Sequence, residues 1–199
     1  MFQKIPFLPG LLLLMLALQA CRGSRSTGGT QQGSVATAAR VPKAIMPPAP
    51  TDSAARPADE NFAHTYSQKL GITVPAMANQ LLISTIAEWV GVPYRYGGND
   101  KQGVDCSGFI NNVYPMVYSL RVPRIAAHIH AQAQPVATAA LQEGDLVFFR
   151  INTAEVGHAG IYLFDDHFVH ATKSRGVMIS RLREPYWSKY FVGGGRYTR

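Results

Sequence analysis

The spacing of apolar residues changes character along the chain, and each change predicts a different kind of element. Over residues 77–90, Leu81, Leu82, Thr85, Ile86, Trp89 and Val90 recur at helical spacing, which predicts a helix with one apolar stripe turned to a core. A shorter helical piece is predicted over 62–70. Pro93 closes the longer helix, and Tyr94-Arg95-Tyr96-Gly97-Gly98 reads as an aromatic-to-glycine loop. Asp105 then has the character of an N-cap ahead of an apolar face made by Phe109, Val113, Met116 or Val117, and Leu120. Pro115 falls inside that pattern; it removes a backbone hydrogen bond and crowds the preceding turn, so a kink or an early stop is expected there. From Val122 to Gln142 the periodicity fades into a loop-rich passage. The last third consists of short apolar runs rich in Val, Ile, Phe and Tyr, which predict strands over 146–151, 158–164, 167–172, 177–182 and 192–197. Asp165-Asp166 and Lys173-Ser174-Arg175-Gly176 join three of these as hairpins. Helices first and a mainly antiparallel sheet afterwards make an α+β domain, with no internal repeat.

The start of the chain follows other rules. An apolar run over 8–18, broken by Pro9 and Gly10, follows a short positively charged start and is shorter than the ~18 to 20 residues that cross a bilayer. It reads as a secretory signal. Leu18-Gln19-Ala20-Cys21 resembles the bacterial lipobox, with Gln19 in place of the usual small residue, and this implies removal of 1–20 and lipidation of Cys21. Several acyl chains would make attachment stable, since each buried methylene contributes ~0.8 kcal/mol and one chain alone is marginal. Arg22, rather than an aspartate, follows the cysteine, which points to the outer membrane in a Gram-negative cell. Residues 21–60 are rich in Gly, Ser, Thr, Ala, Gln and Pro and read as a disordered tether, with a span on the order of 35 Å if flexible. The folded domain is expected over 61–199.

The formal charge of +7 suits anionic head groups and acidic wall polymers. Nucleic acid is a poor partner for this chain, because no cluster of Lys and Arg interleaved with aromatics appears. A monomer is expected.

Candidate chemistry centres on Gly103-Val104-Asp105-Cys106-Ser107-Gly108-Phe109-Ile110. Of the two cysteines, Cys21 is assigned to lipid, which leaves Cys106 an unpaired thiol in an exported protein. Such a thiol is a liability unless it is buried or used. At a helix start, unpaired N–H groups and the positive dipole end favour thiolate over thiol, although a small buried hydrophobe is the common alternative for a cysteine. A thiol nucleophile needs a base, usually histidine. His64 falls in the first helical piece and reads as a surface residue. His128 and His130 have a His-x-His spacing, but no carboxylate or further cysteine accompanies them, so neither metal nor other cofactor is expected. His167 abuts a turn and is expected to be exposed. His158 opens one strand and His170 lies towards the end of the next. Folding at Asp165-Asp166 pairs 158 near 173 and 161 near 170, which leaves the imidazoles within ~10 Å. That allows a base and its orienting partner, or simply two half-buried sheet histidines.

Tyr94-Arg95-Tyr96-Gly97-Gly98, Gly103-Val104-Asp105-Cys106-Ser107-Gly108-Phe109, Val122-Pro123-Arg124, Gly144-Asp145-Leu146-Val147-Phe148-Phe149, Gly157-His158-Ala159-Gly160-Ile161-Tyr162, Phe168-Val169-His170-Ala171 and Pro185-Tyr186-Trp187 occur in a set order and spacing. Together they resemble the NlpC-type cell-wall cysteine peptidases, above all the single-domain lipoprotein murein endopeptidases. The resemblance implies a papain-like α+β fold with helices packed on a sheet of about five to six strands. It also implies Cys106 as nucleophile, His158 as base, His170 as its orienting partner, and the Tyr94 hydroxyl with the Cys106 backbone N–H as the oxyanion hole. Asp105 and Ser107 are implied to line the stem-peptide subsite, although Asp105 would serve equally as a helix cap. Ala159 stands where valine is more usual, Ile125 where serine or threonine is common, and Pro115 interrupts the helix.

The activity implied is hydrolysis of an amide in peptidoglycan peptides through a thioester, with stem peptides as substrate and the bacterial envelope as location. Two bonds compete: the D,D cross-link at diaminopimelate, favoured by lipid anchoring without a wall-binding repeat, and the γ-D-glutamyl-diaminopimelate bond within one stem. A non-catalytic wall-binding lipoprotein and an acyltransferase on the same fold are the readings from other classes.

Overall fold

The structure, a computed structural model, describes residues 57–198; Cys21, the signal segment and the tether up to residue 56 lie outside the described residues. Its elements are α1 (Pro57–Leu70), α2 (Gln80–Trp89), a ribbon of β1 (Asn99–Asp100) and β2 (Gly103–Val104), α3 (Cys106–Tyr118), α4 (Ala126–Gln132), β3 (Gln134–Val136), a short 3-10 turn, β4 (Leu146–Phe149), β5 (His158–Tyr162), β6 (His167–Thr172), β7 (Gly176–Arg181), α5 (Pro185–Tyr190) and β8 (Phe191–Arg196). The main sheet has six strands in the order β3-β8-β4-β5-β6-β7, and every neighbouring pair in it is antiparallel.

Alternation along the strands explains why both faces are covered. Leu146, Phe148, Ala159, Ile161, Val169 and Ala171 point to one face and share a core with Leu82, Ile86 and Trp89 of α2 and Phe109, Ile110 and Val113 of α3. Val147, Phe149 and Phe168 point to the other, where Leu182 and Trp187 close over them. Neither face is left to water, so β4 is buried at all of its positions.

Several segments differ from what periodicity predicts. The first helix begins at Pro57, ahead of Phe62. α3 continues through Pro115 and ends at Tyr118, short of Leu120, where Ser119 adopts a left-handed φ of 55° and returns its N–H to the Pro115 carbonyl. α4 and β3 occupy the passage that reads as loop, and α5 precedes the last strand.

A further difference is the hairpin register. Asp165 and Asp166 both have positive φ, at 47° and 71°. The His167 N–H bonds the Phe164 carbonyl at 2.8 Å, while the Leu163 N–H, not that of Phe164, returns to the His167 carbonyl at 2.9 Å. Phe164 is thus one residue too many on its strand, and Ile161 pairs with Val169 rather than with His170. A slip of one residue changes the face to which a side chain points. In the predicted register His158 and His170 fall on opposite faces; in the structure they share one.

Candidate active site

The site is built outward from the first turn of α3. Asp105 has extended geometry, with φ −93° and ψ 175°, and accepts the Gly108 N–H as an N-cap. Its Oδ1 is 2.7 Å from that N–H, 3.1 Å from the donating Ser107 hydroxyl and 2.8 Å from Arg124 Nη1. Its Oδ2 takes the Gly97 N–H at 3.0 Å and Arg124 Nη2 at 2.9 Å. Burial pushes this carboxyl up, but the hydrogen bonds and charge of Arg124, with those of Gly108 and Ser107, outweigh it and hold the group below the usual carboxylate range. Both oxygens are engaged, so in this geometry Asp105 is a cap and a junction between segments. Ser107 is engaged too, donating to Asp105 and accepting from Arg124 Nη1 at 2.7 Å. A direct contact of either with a stem peptide would displace one of these bonds.

Arg124 therefore ties the loop before α4 to the start of α3, and it also donates to the Gly98 carbonyl at 3.0 Å. That carbonyl lies against α3 closely enough that a Cβ at Gly108 would stand 2.2 Å from it. Glycine is what allows the aromatic-to-glycine loop to reach the helix start. The same loop runs beside β2, with Tyr94 bridging to Val104, and this brings the phenol to the thiol. Burial first, then the nearby Cys106 and Asp105, push the Tyr94 phenol up, so its O–H remains a donor at neutral pH.

Cys106 is a free, buried cysteine. Burial pushes its thiol up. Backbone N–H groups of Ala159, Ser107 and Cys106 itself pull the other way without overcoming it. The helix start contributes as expected, but the expected preference for thiolate is reversed by desolvation: the resting group is the thiol. Above it lies a cleft of about 430 Å³ whose lining includes Tyr94, Tyr96, Arg124, Ile125, Val156 and Gly157. Ile125, set where a hydroxyl residue is common in the resembling family, is half exposed on that wall.

Immediately after Gly157 comes His158, and the next residue, Ala159, is the one whose N–H favours the thiolate. His158 Nε2 is 2.9 Å from His170 Nδ1. His170 has no exposed surface, and its Nε2 lies 3.0 Å from Ser180 Oγ. Trp187 stacks on the His158 ring at 5.5 Å and meets the His170 ring edge-on at 4.5 Å, while Phe149 and Phe168 pack alongside. This apolar bed has an electrostatic consequence: burial lowers His158 to about 4 and drives His170 well below its ordinary value, with His158 adding to the effect. Both imidazoles are neutral near pH 7.

The remaining histidines stand apart from the cleft. His64 is exposed on α1. His128 and His130 sit two residues apart on α4, where helical geometry points them in different directions; His130 packs on Phe148. No group of three or more His, Cys, Asp or Glu suited to a metal occurs among the described residues. His167, expected to be exposed, is buried. Its Nδ1 faces the Phe164 carbonyl at 3.2 Å and its Nε2 accepts from Arg181 at 3.0 Å. Arg124, Ser180 and Trp187 were not singled out from the sequence as site residues. Arg124 and Trp187 lie inside the motifs quoted above, and Ser180 carries a period-two signal, two residues beyond Met178, which pairs with His170.

The family model described as the NlpC/P60 family matches residues 91–196. The chain belongs to the NlpC/P60 family. Among relatives of this NlpC/P60 chain, a probable endopeptidase of Haemophilus influenzae is 37% identical over 134 residues, 67% of this chain and 82% of that protein. The murein DD-endopeptidase MepS/murein LD-carboxypeptidase of Escherichia coli is 40% identical over 110 residues, 55% of this chain and 58% of that protein. The crystal structure of an NlpC/P60 family protein from Bacillus cereus superposes with a TM-score of 0.56 at 30% identity, covering 63% of this chain and 42% of that one. The helices and the six-stranded antiparallel sheet are thus those of an NlpC/P60 domain.

Proposed function

We propose that this NlpC/P60 chain is a peptidoglycan endopeptidase that opens peptide cross-links at the D,D bond of diaminopimelate, using Cys106 as a covalent nucleophile. The observation that carries the reading is the free thiol at the capped start of α3, influenced by the backbone N–H of Ala159, the residue that follows His158 of the bonded His158–His170 pair. The names of the Haemophilus influenzae and Escherichia coli relatives support the substrate class.

Thiol and imidazole are both neutral at rest, so the proton moves as attack occurs. His158 takes the Cys106 proton while sulfur bonds the scissile carbonyl carbon, and the oxygen becomes an oxyanion facing the Tyr94 hydroxyl and the Cys106 backbone N–H. His158 then protonates the departing amine as the carbon–nitrogen bond breaks, leaving a thioester. Water, deprotonated by the same imidazole, releases the acyl group and regenerates the thiol. His170 orients the base throughout. Asp105 and Ser107 shape the subsite through the fixed geometry of the first helical turn.

Among the described residues no helix is long and apolar enough to cross a membrane. We place the protein in the bacterial envelope, held by lipid on Cys21, with the tether letting a single copy reach the wall from the outer membrane. Digesting purified sacculi with the full chain and weighing the fragments tests the bond assignment. Cross-linked dimers should become monomers; stems cut between D-glutamate and diaminopimelate beside intact cross-links would overturn it.

A further inference from the structure

Ser180 is 4% exposed in β7, and a buried hydroxyl is destabilising unless it is paired. Its partner is His170 Nε2 at 3.0 Å. The register of β6 and β7 sets Met178 opposite His170 and Ser180 opposite Phe168, so the hydroxyl crosses diagonally to the imidazole on the face that carries His158. The result is a linear chain: His158 Nε2 to His170 Nδ1 at 2.9 Å, then His170 Nε2 to Ser180 Oγ.

With both rings neutral, protons can occupy this chain in two ways. Either each ring carries its hydrogen on Nε2, pointing towards Ser180, and His158 Nδ1 is bare; or each carries it on Nδ1, pointing towards His158, and His158 Nδ1 is occupied. Only the first arrangement provides a base at His158 Nδ1. Only the first survives proton uptake as well, because the imidazolium form of His158 keeps its Nε2–H and needs an acceptor at His170 Nδ1. In the second, a proton added at His158 Nε2 would face the His170 Nδ1–H.

We infer that Ser180 is a positioning residue for catalysis: by accepting the His170 Nε2–H, it fixes the tautomer that leaves His158 Nδ1 free to take the Cys106 proton. This rests on the reading of Cys106 and His158 as nucleophile and base. The proton passes from Sγ to Nδ1, the sulfur electron pair forms the new bond to carbon, and no net proton reaches His170 or Ser180. The position carries function without touching substrate.

The test compares the full chain with Ser180→Ala and Ser180→Thr, measuring kcat and KM on a purified cross-linked muropeptide and the ring-nitrogen NMR of the histidines. Ser180→Ala should lower kcat by about tenfold with KM within about twofold, and should move ring hydrogen onto Nδ1; Ser180→Thr, which keeps the hydroxyl, should restore kcat to within about threefold. An alanine variant with native kcat and unchanged tautomers would overturn the inference. If that variant does not fold, the native spectrum decides: Nε2–H on both rings supports it and Nδ1–H on His170 overturns it. Activity surviving Cys106→Ala in the same assay would instead remove the nucleophile reading on which it rests.

Discussion

Asp105 shows how one residue can be read correctly in type and still be ambiguous in role. Its five hydrogen bonds join the Gly97 N–H, the first turn of α3 and both terminal nitrogens of Arg124. Asp105→Asn keeps an oxygen for the cap but takes the negative charge from beneath Arg124. It should cost about 1 to 3 kcal/mol, read as a lower midpoint in thermal unfolding, together with a lower kcat because Cys106 is the next residue. Unchanged stability would show the ion pair to be incidental. The residues proposed to act together were visible in the sequence for different reasons: Cys106, His158 and His170 through residue types that thiol chemistry demands, Tyr94 only through the family resemblance. Arg124 and Ser180 were harder to see because their partners lie 19 and 10 residues away, and no local pattern announces which buried polar groups will meet.

Trp187 makes the corresponding case for elements. α5 has six residues, with Pro185 at its start, too few for helical periodicity to register against the strand pattern that follows. α4 follows Ile125, an N-cap position with no side-chain hydrogen bond, and β3 is a three-residue edge strand containing Pro135; each lacks the signal that sequence reading uses. The longer helices and the five apolar strands were legible because burial on one or both faces imposes a period. The register of the β5–β6 hairpin was not, because the extra residue at Phe164 is a matter of turn geometry. Although short, α5 lays Trp187 over both histidines. Trp187→Ala should therefore destabilise the domain by about 3 to 5 kcal/mol and, in molecules that remain folded, let the pKa values of His158 and His170 rise towards 6.5. Histidine titration by NMR checks the second effect, and values that stay low would assign the desolvation to Phe149 and Phe168 instead.

For the whole molecule, two neutral buried histidines tie folding to pH. Both hold folded pKa values below the ordinary 6.5, His158 at about 4. Between those limits the unfolded chain binds more protons than the native one, so stability is full above about pH 6.5 and falls as pH drops towards 4, by at most about 1.4 kcal/mol per pH unit for each histidine. Thermal unfolding followed from pH 8 to 4.5 should show a midpoint that is flat and then declines below about 6.5; a flat curve throughout would mean that the pair is solvated. The same neutrality leaves His158 unprotonated across the neutral range, as its proposed role as base requires, beside a thiol that burial keeps protonated. The central claim is that this fold delivers one thiol to a peptidoglycan amide. The most direct measurement is digestion of purified sacculi by the full chain beside Cys106→Ala, with folding of both checked by circular dichroism. Soluble fragments should appear with the native chain and fall by at least about a thousandfold with the variant, whereas comparable release by a folded Cys106→Ala protein would contradict the claim.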